Sequence, residues 1–152
     1  MDDLVKALQA ALGNVWAYYF KAHTFHWNVS GPLFDQFHRM FGEIYAEAFD
    51  EVDTLAERLL TLDVAAPASL DAIVQPAAIG FTETPDAGGM LVQLAADNAT
   101  VIAALKAAND AATAAGAQGI ANTLQGMLDA HEKWGWKLRK TINKTISAGA
   151  AS

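Results

Sequence analysis

Four long stretches of this chain repeat apolar side chains at intervals of three and four residues, and the first three are closed by proline or glycine. That spacing commits them to helices, because only a period near 3.6 residues gathers such positions on one face. The first stretch runs from about Asp3 to Asn28, with Leu4, Leu8, Leu12, Val15 and Tyr19 on its apolar stripe, and Ser30-Gly31-Pro32 ends it. The second runs from about Leu33 to Leu62 through Phe37, Phe41, Ile44, Phe49, Val52, Leu55 and Leu59, and Pro67 breaks the chain after it. The third spans about Pro85 to Ala115, with Gly116 placed as a helix C-cap. The fourth covers about Ala117 to Ile146, with Ile120, Leu124, Leu128, Trp134, Leu138 and Ile142 facing inward. Between the second and third lies "SLDAIVQPAAI", Ser69 to Ile79, with room for two or so helical turns before Pro76. No strand-like alternation of useful length and no internal repeat occurs, and the closing "SAGAAS", about 147–152, is expected to be disordered.

Two short connections and one long one carrying a small helix describe an all-α four-helix bundle with a crossover between helices two and three, the ferritin-like topology. The 152 residues make a single domain, and a hydrophobic content of 53% is ample for a packed core. Zero cysteines exclude disulfides, thiolate zinc sites, iron–sulfur clusters and cysteine nucleophiles, so any metal must be held by nitrogen and oxygen. The opening "MDDLVKALQ" is acidic where a signal peptide would be basic. No apolar run approaches the ~20 residues of a membrane span, so a soluble cytoplasmic protein without a membrane partner is expected. The formal net charge of −7 argues against broad attraction to nucleic acid. Lys133, Lys137, Arg139, Lys140 and Lys144 do cluster, in what reads as the last turns of the fourth helix, where cations complement the dipole.

Three of the four histidines fall within "HTFHWNVSGPLFDQFH", His23 to His38, around the first break. Bundle enzymes with two metal ions use Glu-x-x-His pairs on inward faces, and no histidine here has a glutamate three positions before it. A different set is present. His26 lies near the end of the first helix and His38 one to two turns into the second, so an antiparallel hairpin puts both at one end. Asp53 and Glu57, at i and i+4, share a face of the second helix. At ~1.5 Å of rise per residue, His38 and Asp53 are roughly 22 Å apart along that helix and cannot share a metal within one chain. A two-fold dimer pairing second helices antiparallel would bring His26 and His38 of one subunit to Asp53 and Glu57 of the other. Two imidazoles and two carboxylates suit a divalent transition metal such as iron. The spacing alone leaves helix-end and surface roles open for all four.

"HWNVSGPLFDQFH" followed by "DTLAERL" resembles the Dps family, the mini-ferritins or DNA-binding proteins from starved cells. The family pattern is His-Trp-Asn, a Gly-Pro turn, a second histidine twelve residues on, then Asp-x-x-x-Glu leading into Ala-Glu-Arg. "SLDAIVQPAAI" is similar to the family's small middle helix and "HEKWGWKLR" to its last-helix motif, so the resemblance covers nearly the whole chain. It implies that His26, His38, Asp53 and Glu57 are ferroxidase ligands, in inter-subunit sites of a hollow dodecamer built of two-fold dimers. Such a particle oxidises Fe(II), preferably with hydrogen peroxide rather than oxygen, and stores ferric mineral in its cavity. Trp27, beside His26, resembles the family tryptophan that intercepts radicals near the metals; on physical grounds alone it reads as a packed residue.

The sequence departs from the family at Gly42, where an aspartate or glutamate usually helps bind a second iron. His23, three residues before His26 on nearly the same face, is the first candidate to replace it, and Glu43, turned about 100° away, is a poorer one. DNA-binding members often use long Lys/Arg-rich tails, which this sequence does not show, so DNA binding is not expected. The acidic three-fold pore retains Asp129, with Asn122 and Gly126 where acids would fit. Trp16, Trp134 and Trp136 read as core or interface, and His131 as structural. Glu47, Asp50 and Glu51 extend an acidic run that would line a cavity or simply face solvent. The leading reading is Fe(II) oxidation with storage; the alternatives are a nucleoid-compacting protein and a cage holding zinc at a degraded site.

Overall fold

The computed structural model describes residues 1–149, with side chains described to residue 142. Five helices appear in the order α1 (Asp2–Asn28), α2 (Phe34–Leu60), α3 (Leu70–Val74), α4 (Ala87–Ala114) and α5 (Gln118–Gly149). Among the described residues there is no strand. The expected disordered tail, 147–152, falls on the end of α5 and on residues outside those described.

The helix ends follow from local chemistry. Pro85 has no N–H to give, so α4 begins after Asp86, whose carboxylate accepts from the Gly89 amide at 2.8 Å. Ser69 caps α3 in the same way through the Ala72 amide. At the end of α4, Gly116 takes φ 71°, and the amides of Ala117 and Gly116 close on the carbonyls of Ala112 and Thr113. The residue-type signal at Gly116 is therefore realised as a helix stop. Asp63 plays the same part after α2 at φ 59°, with Val64 and Asp63 amides on Leu59 and Leu60. An aspartate tolerates that left-handed conformation better than most residues.

Helix α1 packs along α2, α4 along α5, and α1 against α4; the α2–α5 seam is much thinner than these. Leu4, Leu8, Leu12, Val15, Phe41 and Leu55 are buried as their periodicity predicts. Phe49 is a correction: expected on the inner stripe of α2, it is 51% exposed. It stands against the Tyr19 ring at the edge of the α1–α2 pair, outside the central bundle. Helix α4 is a second correction, since by length and composition it is apolar enough to cross a bilayer. Its alanines make it so, yet its middle carries Asn98, buried against α5 as part of the core.

The crossover is pinned to α1. Gly13 lets α3 approach so closely that a Cβ there would sit 2.7 Å from the Ile73 carbonyl oxygen. The adjacent Asn14 is buried, and its Oδ1 accepts from the amides of Ala78 (2.9 Å) and Ile79 (3.2 Å). Those two residues hold the long connection against α1.

Candidate metal centre

The first hairpin brings two histidines face to face. The reversal after α1 is made at Gly31, whose φ of 110° is open to glycine. His26 in the last turn of α1 and His38 in the second turn of α2 then stand at one level, with ring centroids 3.7 Å apart and planes 19° from parallel. His26 Nδ1–H donates to the His38 carbonyl (2.6 Å), and His38 Nδ1–H donates to the His26 carbonyl (2.8 Å). A carbonyl oxygen only accepts, so both rings carry a proton on Nδ1, and Nε2 is the nitrogen that the neutral ring offers as a donor atom. Tying the far nitrogen to a backbone oxygen is the arrangement that orients a metal-binding imidazole.

His23 continues the row. Its ring lies flat on Tyr45 (centroids 3.9 Å, planes 14°) and beside Trp27 (4.3 Å), and its Nδ1 is 3.3 Å from the Tyr19 hydroxyl. Burial, and then the neighbouring charge of His26, hold its pKa below the usual imidazole value. Trp27 is 59% exposed, not packed as composition alone would favour. Tyr19 and Tyr45 therefore belong to this site, though sequence reasoning places Tyr19 only on the core stripe and passes over Tyr45. Helical spacing carries the signal: Tyr19 precedes His23 by four residues, and Tyr45 follows His38 by seven.

Asp53 and Glu57 project from one exposed face of α2, and no hydrogen bond or ion pair engages either carboxylate among the described residues. Along α2 they lie about four or more helical turns beyond His38. Accordingly, no three His, Asp or Glu side chains among the described residues come together within one chain to hold a metal.

The pattern of the ferritin-like domain matches residues 5–147. A DNA protection during starvation protein of Brevibacillus brevis is 36% identical over 132 residues, covering 86% of this chain and 89% of that protein. The chain belongs to the Dps family. Among solved structures, Dps from Staphylococcus aureus superposes with a TM-score of 0.88 at 29% identity, covering 93% of this chain and 96% of that one. Dps from Vibrio cholerae O1, described as a member of a broad superfamily of ferritin-like diiron-carboxylate proteins, gives 0.88 at 26% identity over 93% of this chain and 89% of that one.

One departure from the sequence reading concerns the acids of this Dps chain. Glu51, grouped with an exposed or cavity-lining run, is buried instead. Its Oε2 lies 2.7 Å from Nε2 of His131, itself 2% exposed. Asn98 donates from Nδ2 to the His131 carbonyl (2.8 Å), which leaves its Oδ1 to accept from His131 Nδ1–H (2.7 Å). His131 is thus the structural residue it was expected to be, and it draws Glu51 into the core with it. Burial and the nearby Asp97, Glu51 and Glu47 push the Tyr18 phenol up in pKa, so it stays neutral in that core. Trp134 is buried and donates its indole N–H to Glu47, whereas Trp136 is exposed and Trp16 half-buried. Asp50 remains exposed, and Asp129 is tied to Lys133 at 2.6 Å one turn along α5.

Proposed function

We propose that this Dps-family protein is a ferroxidase and iron store that oxidises Fe(II), with hydrogen peroxide as the preferred oxidant, and keeps ferric mineral in a dodecameric cytoplasmic cage. The observation that carries this reading is the reciprocal tie between His26 and His38, which frees two imidazole nitrogens at one end of a hairpin. Asp53 and Glu57, exposed and unpaired on the same helix, supply the missing oxygen donors when a second copy packs antiparallel. Neutral imidazoles hold the ferrous ion, and the carboxylates offset the charge gained on oxidation, so the donor set favours the ferric product. Peroxide takes one electron from each of two ferrous ions and two protons, and leaves as water. Trp27, exposed beside His23, is placed to reduce a radical that escapes this step. Zinc suits the same nitrogen and oxygen donors and would compete with iron.

Metal analysis of the purified protein, followed by ferrous oxidation with oxygen and then with peroxide, tests the proposal. Ferric absorbance should rise well above the protein-free rate and faster with peroxide; a rate equal to the blank with both oxidants refutes it. Because imidazole and carboxylate must lose protons to ligate, ferrous affinity should fall as the pH is lowered from neutral across the acid range. An affinity flat across that range would remove the histidines from the site.

A further inference from the structure

In the interior of the bundle each of the four long helices contributes polar side chains to a centre that the hairpin site does not use. Helix α1 brings Tyr18 and Lys21, α2 Glu51, α4 Asp97 and Asn98, and α5 His131. Their contacts set one level of the bundle. Lys21 Nζ lies 2.7 Å from Asp97 Oδ2, the Tyr18 ring is 5.6 Å from that of His131, and His131 Nε2 is 2.7 Å from Glu51 Oε2. Polar atoms buried in such a core are as a rule hydrogen-bonded. Two here are not. Tyr18 Oη and Asp97 Oδ2 are sealed from solvent, and neither has a hydrogen-bond partner among the described residues. Lys21 offsets the charge of Asp97 at short range without meeting hydrogen-bond geometry.

The charges say what kind of molecule satisfies both oxygens. Lys21 and Asp97 cancel. His131 Nδ1–H is committed to Asn98, so the contact between His131 Nε2 and Glu51 Oε2 holds one further proton, and that pair is neutral overall on whichever side the proton sits. Tyr18 stays a neutral phenol in this setting. The centre therefore has no net charge for a metal or other cation to offset. What it needs is a neutral group that accepts from the Tyr18 O–H and donates to a carboxylate oxygen. Of the carboxylates around the phenol, Asp97 acts on it most strongly, ahead of Glu51 and Glu47.

We infer that a single buried water molecule is a constituent of this centre, accepting the Tyr18 O–H and donating to Asp97 Oδ2. Internal waters take this place between polar groups that are otherwise unsatisfied. The water joins α1 to α4, Asn98 joins α4 to α5 through His131, and Glu51 joins α5 to α2, so one polar belt runs through all four long helices. The belt allows α2 one rotation about its axis. At about 100° per residue, Asp53 lies roughly 200° and Glu57 roughly 240° around the helix from Glu51. Burying Glu51 turns both of those acids outward, where they are exposed. The water site holds whether or not the particle oxidises iron.

A high-resolution crystal structure of the assembled particle is the test. Wild type should show one density peak within about 2.6–3.2 Å of both Tyr18 Oη and Asp97 Oδ2. Tyr18→Phe keeps the ring, removes the only donor to that water, and should lose the peak. A wild-type map without the peak, a Tyr18 hydroxyl bonded directly to a carboxylate, or a peak that persists in Tyr18→Phe overturns the assignment. Soaking wild-type crystals in a rubidium salt separates water from a cation: no anomalous scattering is expected at the peak, and rubidium found there overturns the water. Should Tyr18→Phe fail to assemble, the wild-type map and the soak decide by themselves.

Discussion

If the centre is shared between chains, two inactive variants should rescue each other, and the extent of rescue is set by symmetry. His38→Ala removes a nitrogen donor from every site and Asp53→Ala an oxygen donor from every site, so each variant alone should oxidise Fe(II) slowly. The two positions are fifteen residues apart on α2, roughly 22 Å at ~1.5 Å per residue, so one ion cannot touch both in one chain. A two-fold dimer contains two sites, each taking histidines from one protomer and acids from the other. In a mixed dimer one site loses both ligands and the other keeps the full set. Random pairing makes about half of the dimers mixed, so about a quarter of all sites should recover. The assay is the fast phase of ferrous oxidation with peroxide in co-expressed particles, with native mass spectrometry establishing that they are mixed. Recovery near a quarter of the wild-type amplitude is expected. No recovery in demonstrably mixed particles would refute the inter-subunit arrangement, because a centre inside one chain gains nothing from mixing.

His131→Ala strands the buried Glu51 carboxylate and should cost about 3–5 kcal/mol in urea unfolding, whereas Glu51→Gln, which can still donate to a neutral ring, should cost far less. Equal losses would show that packing, not the charge pair, is what matters there. Gly13→Ala pushes a methyl into the Ile73 carbonyl, 2.7 Å away, and should destabilise by about 1–3 kcal/mol while speeding proteolysis in the crossover. An unchanged cleavage pattern would mean α3 is free to lift. Plasmid DNA should not shift in a gel at neutral pH and moderate salt, given the net charge of −7; a stoichiometric, salt-sensitive shift would contradict this.

The sequence alone determined the helices, their order and the long crossover, because apolar spacing and the breaks at Ser30-Gly31-Pro32, Pro67 and Gly116 are local properties of the chain. It also placed His26 and His38 at one end of a hairpin and kept Asp53 distant from them, since a short turn and a fixed rise per residue leave no other geometry within a chain. The tertiary structure decided what depends on a neighbour. Glu51 and Asp50 are adjacent acids in one run, yet His131, eighty residues on, takes Glu51 into the core and leaves Asp50 outside. Phe49 reads as core by periodicity but is exposed, because whether a helix flank is covered depends on where the next helix crosses. The state of the site histidines was likewise invisible beforehand. Which ring nitrogen keeps its lone pair depends on carbonyls and a phenol brought up by folding, and those partners lie across the turn or on another helical level, not beside the ring in the chain.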